Sequence, residues 1–259
     1  MKLVIGWLYF DLMNTYGDKG NVLTLHYRAQ SRNINTTIRP LTTTCSSADI
    51  QSCDLLFMGG AEDWQQEIVS KDLQGEKKQI FAHMIEQDIP GLFICGAYQF
   101  LGEYYLTADK KKLPGLSIIP VYTQQSTHTS KRLIGDIVCE ITHPKLCTHL
   151  PNKHDRILIG FENHSGRTML THNKNALGHT LKGYGNNDTD STEGSVYKNT
   201  IATYMHGPFL PRNPAVADYL IAKALTVKYN QPVQLAPIDD TIITNNRTYL
   251  LKKIHDSHT

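Results

Sequence analysis

Residues 53–60, CDLLFMGG, and 90–97, PGLFICGA, are short apolar runs that end on small residues. A run of that length and composition reads as a strand buried on both faces, and such a strand needs helices to cover it. The stretch between them supplies one: from Trp64 to Gln87 the pattern is helical, with Ile80, Met84 and Ile85 among its apolar positions. The alternation starts earlier. KLVIGWLYF (2–10) is rich in strand formers, GNVLTLHYRAQSRN (20–33) spaces Val22, Leu25 and Ala29 as a helix does, and TTIRPL reads as the next strand. After GLFIC, Gly96 to Tyr105 reads as a helix. Strands alternating with helices predict an α/β fold, a mostly parallel sheet covered by helices on both faces.

The second half is richer in strands: LIGDIVCEI (133–141), ILIGFE (157–162) and NTIATYMHG (199–207). GYGNNDTDSTEG (183–194) is polar and rich in Gly, Asn and Asp; it matches no EF-hand spacing, so a solvated turn is expected there rather than a cation loop. NPAVADYLIAKALTVKYN (213–230) is the clearest helix and opens on an Asn-Pro start signal. Residues 1–230 are thus expected to form one domain. Residues 231–259 form a tail, packing on that domain or on a partner.

Several function classes drop out. Lys plus Arg number 26 against 24 Asp plus Glu, and that balance does not favour a nucleic-acid partner. No apolar run is long enough to span a bilayer. MKLVIGWLYF imitates a signal peptide but stops at Asp11 without a cleavage site, so it reads as the first strand. Five cysteines with no CxxC pair speak against a disulfide framework or a structural zinc site, which favours a reducing cytoplasm. The histidines are scattered and form no HExxH, so no metal is expected.

In open α/β sheets, ligands bind beyond the carboxyl ends of the strands. Gly59-Gly60, Cys95-Gly96 and His206-Gly207 each end a predicted strand, so a cysteine, a histidine and two glycine turns are expected on one edge. Cys95 on a sharp strand-to-helix turn would present a thiol there. The alternative is a small core residue, the ordinary place for a free cysteine, and Cys45, Cys53, Cys139 and Cys147 keep that reading.

Seven ordered stretches resemble the class I glutamine amidotransferases, within them the cobyric-acid-synthase-like branch. They are LYFDLMNTYGDKGNVL, MGGAEDWQQE, CGAYQFLG, KRLIGDIV, GFENHSGRT, GYGNNDTDSTEG and YMHGPFLPRNP, spread from residue 8 to residue 214. The resemblance implies a glutaminase. Cys95 would attack the side-chain amide of L-glutamine, giving a γ-glutamyl thioester and ammonia, with His206 as the base. A helix start and a cationic neighbour are what make a thiol reactive. Many relatives carry an acid two residues after the histidine. Here Pro208 stands there, which leaves a Cys–His dyad or a triad completed from elsewhere, and Glu162 is the candidate orienting residue. For the oxyanion, the resemblance points to backbone N–H groups at Gly60 or Ala61 and at Gly96. Alanine at 61, where relatives have glycine, would be strained if the site needed positive φ. Arg132 resembles a carboxylate-binding arginine, and a guanidinium fork suits that task. Gln99 is assigned to the substrate pocket or to support of the turn. Asn163, His164 and Arg167 are read as wall or interface residues.

The resemblance is nearest to glutaminase subunits that work without a cofactor. These supply ammonia to a Mur-ligase-like ATP-dependent partner in a heterodimer. That partner amidates the D-glutamate α-carboxyl of lipid II to D-isoglutamine in peptidoglycan synthesis. The sequence has no GxxxxGK[ST] phosphate loop, so ATP chemistry would lie on the partner. Alternatives are an amidotransferase for another carboxylate, such as a corrinoid side chain, or a non-catalytic subunit that only holds a partner. Relatives of the corrinoid kind are often fused to their synthase, and these 259 residues include no synthase domain.

Overall fold

The computed structural model describes residues 1–107, 110–125, 132–172 and 175–256. Lys131, next to Arg132 in KRLIGDIV, lies outside them. Six strands form the central sheet, in the order Ser195–Tyr197, Thr200–Thr203, Gly91–Ile94, Leu55–Met58, Lys2–Leu8 and Asn35–Leu41. All neighbours in it are parallel except the edge pair Ser195–Tyr197 and Thr200–Thr203. The expected α/β sheet is therefore present, with antiparallel additions. One is a four-stranded sheet built on Leu133–Ile141 and Ile157–His164; the other joins Gly166–Leu170, Val121–Gln125, Tyr104–Leu106 and Lys112–Pro114.

The central strands Leu55–Met58, Gly91–Ile94 and Thr200–Thr203 are buried at every position, as their unbroken apolar runs require. The helix Lys19–Gln30 turns Val22, Leu25 and Ala29 inward, and Pro214–Tyr229 buries Val216, Leu220, Ile221 and Ala224. The helical stretch after Trp64 is two helices, Asp63–Asp72 and Glu76–Glu86, parted at Gly75 with φ 63°. Phe81 of the second meets Phe93 of the sheet edge-on, with centroids 5.6 Å apart. The helix after Cys95 ends at Leu101 rather than Tyr105, because Tyr104–Leu106 pairs as a strand.

One expectation changes in part. Residues 183–194 are a turn exposed at Gly183 and from Asp188 to Ser191 but anchored by buried polar residues. Asn186 and Asn187 are buried, and the Asn186 side chain donates to the Gly194 carbonyl and accepts from the Gly194 N–H. The tail, expected on the domain or on a partner, packs on the domain through the helix Thr241–Asp256. Ile254 packs with Val138 and Ile159, and Arg247 donates to the carbonyls of Ile157 and His154. At the entry to that helix, the buried Arg28 guanidinium holds both Asp218 and Asp240 at 2.7 Å. One cation thereby ties the first helix, the last domain helix and the tail together. The five cysteines are free, and no helix among the described residues is long and apolar enough to cross a membrane.

Candidate active site

Four parallel strands end on one edge of the central sheet, and each delivers part of the site. Gly91–Ile94 runs straight into Cys95, whose backbone at φ 53°, ψ −105° turns sharply into the helix Gly96–Leu101. A non-glycine residue there costs about 1–3 kcal/mol and persists only where the surroundings enforce it. They do so here: the Cys95 N–H donates to the Thr203 carbonyl at 2.9 Å, and residues 96–101 are all buried. The bend leaves Cys95 on the wall of a cavity at the strand ends.

His206 lies just beyond Thr200–Thr203. Its backbone pairs with Phe161, N–H to O at 2.7 Å and the reverse at 3.2 Å. Gly60 follows Leu55–Met58, and a Cβ there would lie 2.7 Å from His206 Cε1 and 3.3 Å from Cys95 Cβ. Thiol and imidazole converge on the space that this glycine leaves open.

The fourth strand, Lys2–Leu8, leads to the residue the sequence reading missed. Asp18, fully buried, places Oδ1 3.3 Å from His206 Nδ1, while its Oδ2 accepts the Gly60 N–H at 2.7 Å. A carboxylate can only accept, so Nδ1 carries the hydrogen and Nε2 remains for the thiol. Among the described residues Nε2 has no hydrogen-bond partner. Burial by itself would pull the imidazolium down. The Asp18 carboxylate and then the Cys95 sulfur outweigh it and raise the ring's pKa to about 10.

Glu162 is not the orienting residue. Its carboxylate accepts the N–H groups of Tyr184 at 2.7 Å and Gly185 at 3.0 Å, and Asp18 occupies the place beside His206. Gly60 is likewise excluded as an oxyanion donor, since its N–H is given to Asp18. The N–H groups of Ala61 and Gly96 remain. Gly96 opens a helix and has no intrahelical acceptor. A Cβ on Gly96 would come within 3.4 Å of Ala61 N, so the two turns approach closely there. Ala61 is not among the positive-φ residues, which removes the expected strain.

Cys95, His206, Ala61, Gln99 and Arg132 line one cavity of about 570 Å³. Arg132 donates from Nε to Asn163 Oδ1 at 2.8 Å, and Asn163 Nδ2 donates to Tyr16 Oη at 2.7 Å. Tyr16 in turn stands edge-on to His206 with centroids 5.0 Å apart. Asn163 and His164 are wall residues of the cavity, as expected. His164 stacks on Tyr204 at 3.7 Å and donates from Nδ1 to the Gly166 carbonyl; burial lowers its pKa to about 3, so it is neutral. Gln99 is buried and donates to Tyr204 Oη at 3.2 Å, which makes it a support beneath the turn as well as a wall. Arg167 donates to the Ser165 carbonyl at the same rim. Among the described residues no group of three or more His, Cys, Asp or Glu side chains could hold a metal ion.

The chain is 41% identical over 223 residues to the lipid II isoglutaminyl synthase (glutamine-hydrolyzing) subunit GatD of Staphylococcus aureus, covering 86% of this chain and 84% of that one. It is 38% identical over 241 residues to the subunit of the same name from Streptococcus pneumoniae, covering 93% and 87%. Its fold is that of the glutaminase domain of Trypanosoma brucei CTPS solved with bound acivicin, with a TM-score of 0.54 at 12% identity over 90% of this chain and 96% of that one. Residues 4–214 match the CobB/CobQ-like glutamine amidotransferase domain. With a thiol and an imidazole gathered at one sheet edge inside that span, the chain belongs to the CobB/CobQ-like glutamine amidotransferases.

Proposed function

We propose that this chain is the glutamine-hydrolysing subunit of a lipid II isoglutaminyl synthase, with Cys95 as nucleophile and His206 as its base. The observation that carries the chemistry is the strained Cys95 turn facing an imidazole raised by Asp18. Cys95 Sγ forms a bond to the side-chain amide carbon of glutamine with the proton of the Cys95–His206 pair carried on His206 Nε2, where the raised imidazole holds it. The oxyanion that develops is met by the N–H groups of Ala61 and Gly96, fixed donors that need not reorganise as the charge develops. His206 then gives its proton to the departing nitrogen, and ammonia leaves a γ-glutamyl thioester. Water, deprotonated by the same imidazole, attacks the thioester; glutamate leaves and the thiol is restored.

Arg132 holds the α-carboxylate of glutamine at the cavity rim, its guanidinium oriented by Asn163. Arg132→Lys keeps the charge but loses the planar fork and the Asn163 anchor. Steady-state kinetics should show KM raised about tenfold or more with kcat within about threefold, the pattern of lost uniform binding. An unchanged KM would remove Arg132 from the binding site.

Ammonia serves best when delivered to a bound acceptor, since in bulk water at neutral pH it is mostly ammonium and unreactive. The names of the two curated relatives support a partner subunit, and we assign it as a Mur-ligase-like ATP-dependent enzyme that activates the D-glutamate α-carboxyl of lipid II. Both would work in the cytoplasm, with residues 1–230 as the catalytic domain and the tail helix Thr241–Asp256 bracing it. Titrating the purified chain with that ligase should raise glutamine hydrolysis about 5- to 150-fold, the span of ordinary coupling energies, and amidated lipid II should appear in step. Hydrolysis equally fast alone, or amidation of a different carboxylate, would overturn the assignment.

A further inference from the structure

We infer that Glu193 is a positioning residue for His206: its buried carboxylate fixes the turn that carries the imidazole up to Cys95. The inference rests on the reading of Cys95 and His206 as the hydrolytic pair. Glu193 is fully buried at the end of the 183–194 loop. Its Oε1 accepts both the Thr203 hydroxyl at 2.5 Å and the Tyr204 N–H at 2.9 Å. The Thr203 oxygen, having given its hydrogen away, accepts the Met205 N–H at 3.1 Å. One carboxylate thus governs the last strand residue and both amides that precede His206.

Thr203 has a second task. Its carbonyl accepts the Cys95 N–H at 2.9 Å. The residue whose side chain Glu193 holds is therefore also the one that locates the nucleophile's backbone, so Glu193 sets the spacing of the pair from one point. A buried carboxylate is an expensive way to satisfy two donors, because a neutral acceptor would do so without the desolvation cost. Burial raises its pKa to about 7, against the Thr203 and Tyr204 bonds, which lower it. Either protonation state keeps an oxygen that can accept from Thr203 and Tyr204.

The loop that supplies Glu193 is built to be rigid. Glu162 holds its first amides, at Tyr184 and Gly185. The Asn186 side chain ties it across to Thr192 and Gly194. The 183–194 loop, which has no group on the cavity wall, would act on the reaction only through this bracing.

The test uses the full chain with its ligase partner present, and three variants: Glu193→Ala, Glu193→Gln and Thr203→Val. Each is first checked by thermal melting. Misplacing a catalytic group by about 1 Å costs on the order of 100-fold. Glu193→Ala and Thr203→Val should therefore each lower kcat for glutamine hydrolysis by roughly 10- to 100-fold, with KM within about twofold. Alkylation of Cys95 by iodoacetamide at pH 7, read by mass spectrometry, should slow in parallel. Glu193→Gln, which keeps an acceptor oxygen, should retain kcat within about threefold. Wild-type kcat and alkylation in a folded Glu193→Ala or Thr203→Val protein would overturn the inference. So would an equal loss in Glu193→Gln, because charge and not the two hydrogen bonds would then matter. If Glu193→Ala does not fold, Thr203→Val still decides, since it keeps size and burial. A wild-type Cys95 alkylated no faster than Cys45 would instead sink the underlying pair.

Discussion

Cys95→Ala is expected to fold and to release no ammonia from glutamine, a loss of at least ~10^4-fold, as for removal of any residue through which the covalent intermediate must pass. The substitution deletes one sulfur from a residue only 8% exposed, so it should shift stability by about 1 kcal/mol. It does not relieve the backbone. Alanine and cysteine share a Cβ, and the φ of 53° is as unfavourable for one as for the other. Cys95→Gly separates strain from chemistry. Glycine tolerates positive φ but loses more chain entropy on folding, about 0.5–1 kcal/mol against a strain of about 1–3 kcal/mol. Cys95→Gly should therefore melt at or above Cys95→Ala while being equally inactive. Coupled ammonia assays and circular-dichroism melts measure both. Ammonia release at even a hundredth of the wild-type rate by folded Cys95→Ala would remove the thiol from the mechanism.

The strand ends at Gly60, Cys95 and His206 were legible because each closes an apolar run, and the location rule for α/β sheets then gathers them. The same rule applied to Lys2–Leu8 would have pointed to Asp18. It was missed because the loop continues past Tyr9 for several residues before the aspartate, and its partner His206 lies 188 residues away. Glu162 was favoured for its place in a polar block after a strand, but proximity in sequence says nothing of which lone pairs are taken. The polar loop at 183–194 was legible only at its exposed tip for a related reason: composition does not distinguish an Asn solvated by water from one, like Asn186, satisfied by Thr192 and Gly194. The tail was illegible by propensity. TIITNN is β-branched, and it is helical here because Leu250, Leu251 and Ile254 on the same helix find an apolar seat against Val138 and Ile159. Packing overrides propensity where a face can be buried.

Asp18→Asn should lower kcat by roughly 10^3- to 10^4-fold at neutral pH while leaving the site assembled, by the logic of an orienting carboxylate in a nucleophile–histidine triad. Asparagine can still accept the Gly60 N–H through its carbonyl, so the glycine turn keeps its anchor. Its amide nitrogen then faces His206 Nδ1 and donates to it. The ring must answer with an unprotonated Nδ1, which puts its hydrogen on Nε2, the nitrogen that has to take the thiol proton. Asp18 does not line the cavity, so KM for glutamine should stay within about threefold. A second signature comes from proton linkage. The His206 pKa is raised in the folded state, to about 10, against an unfolded value of about 6.5. The stability that the imidazolium contributes is therefore complete below about pH 6.5 and is lost as pH climbs through the folded value. Removing the Asp18 charge lowers that folded value and narrows the window. Urea unfolding at about pH 7 and about pH 9 should show the wild type losing more stability across that interval than Asp18→Asn does. Equal alkaline losses together with an unchanged kcat would mean that the 3.3 Å contact neither charges nor orients the ring, and that the site works as a Cys–His dyad alone.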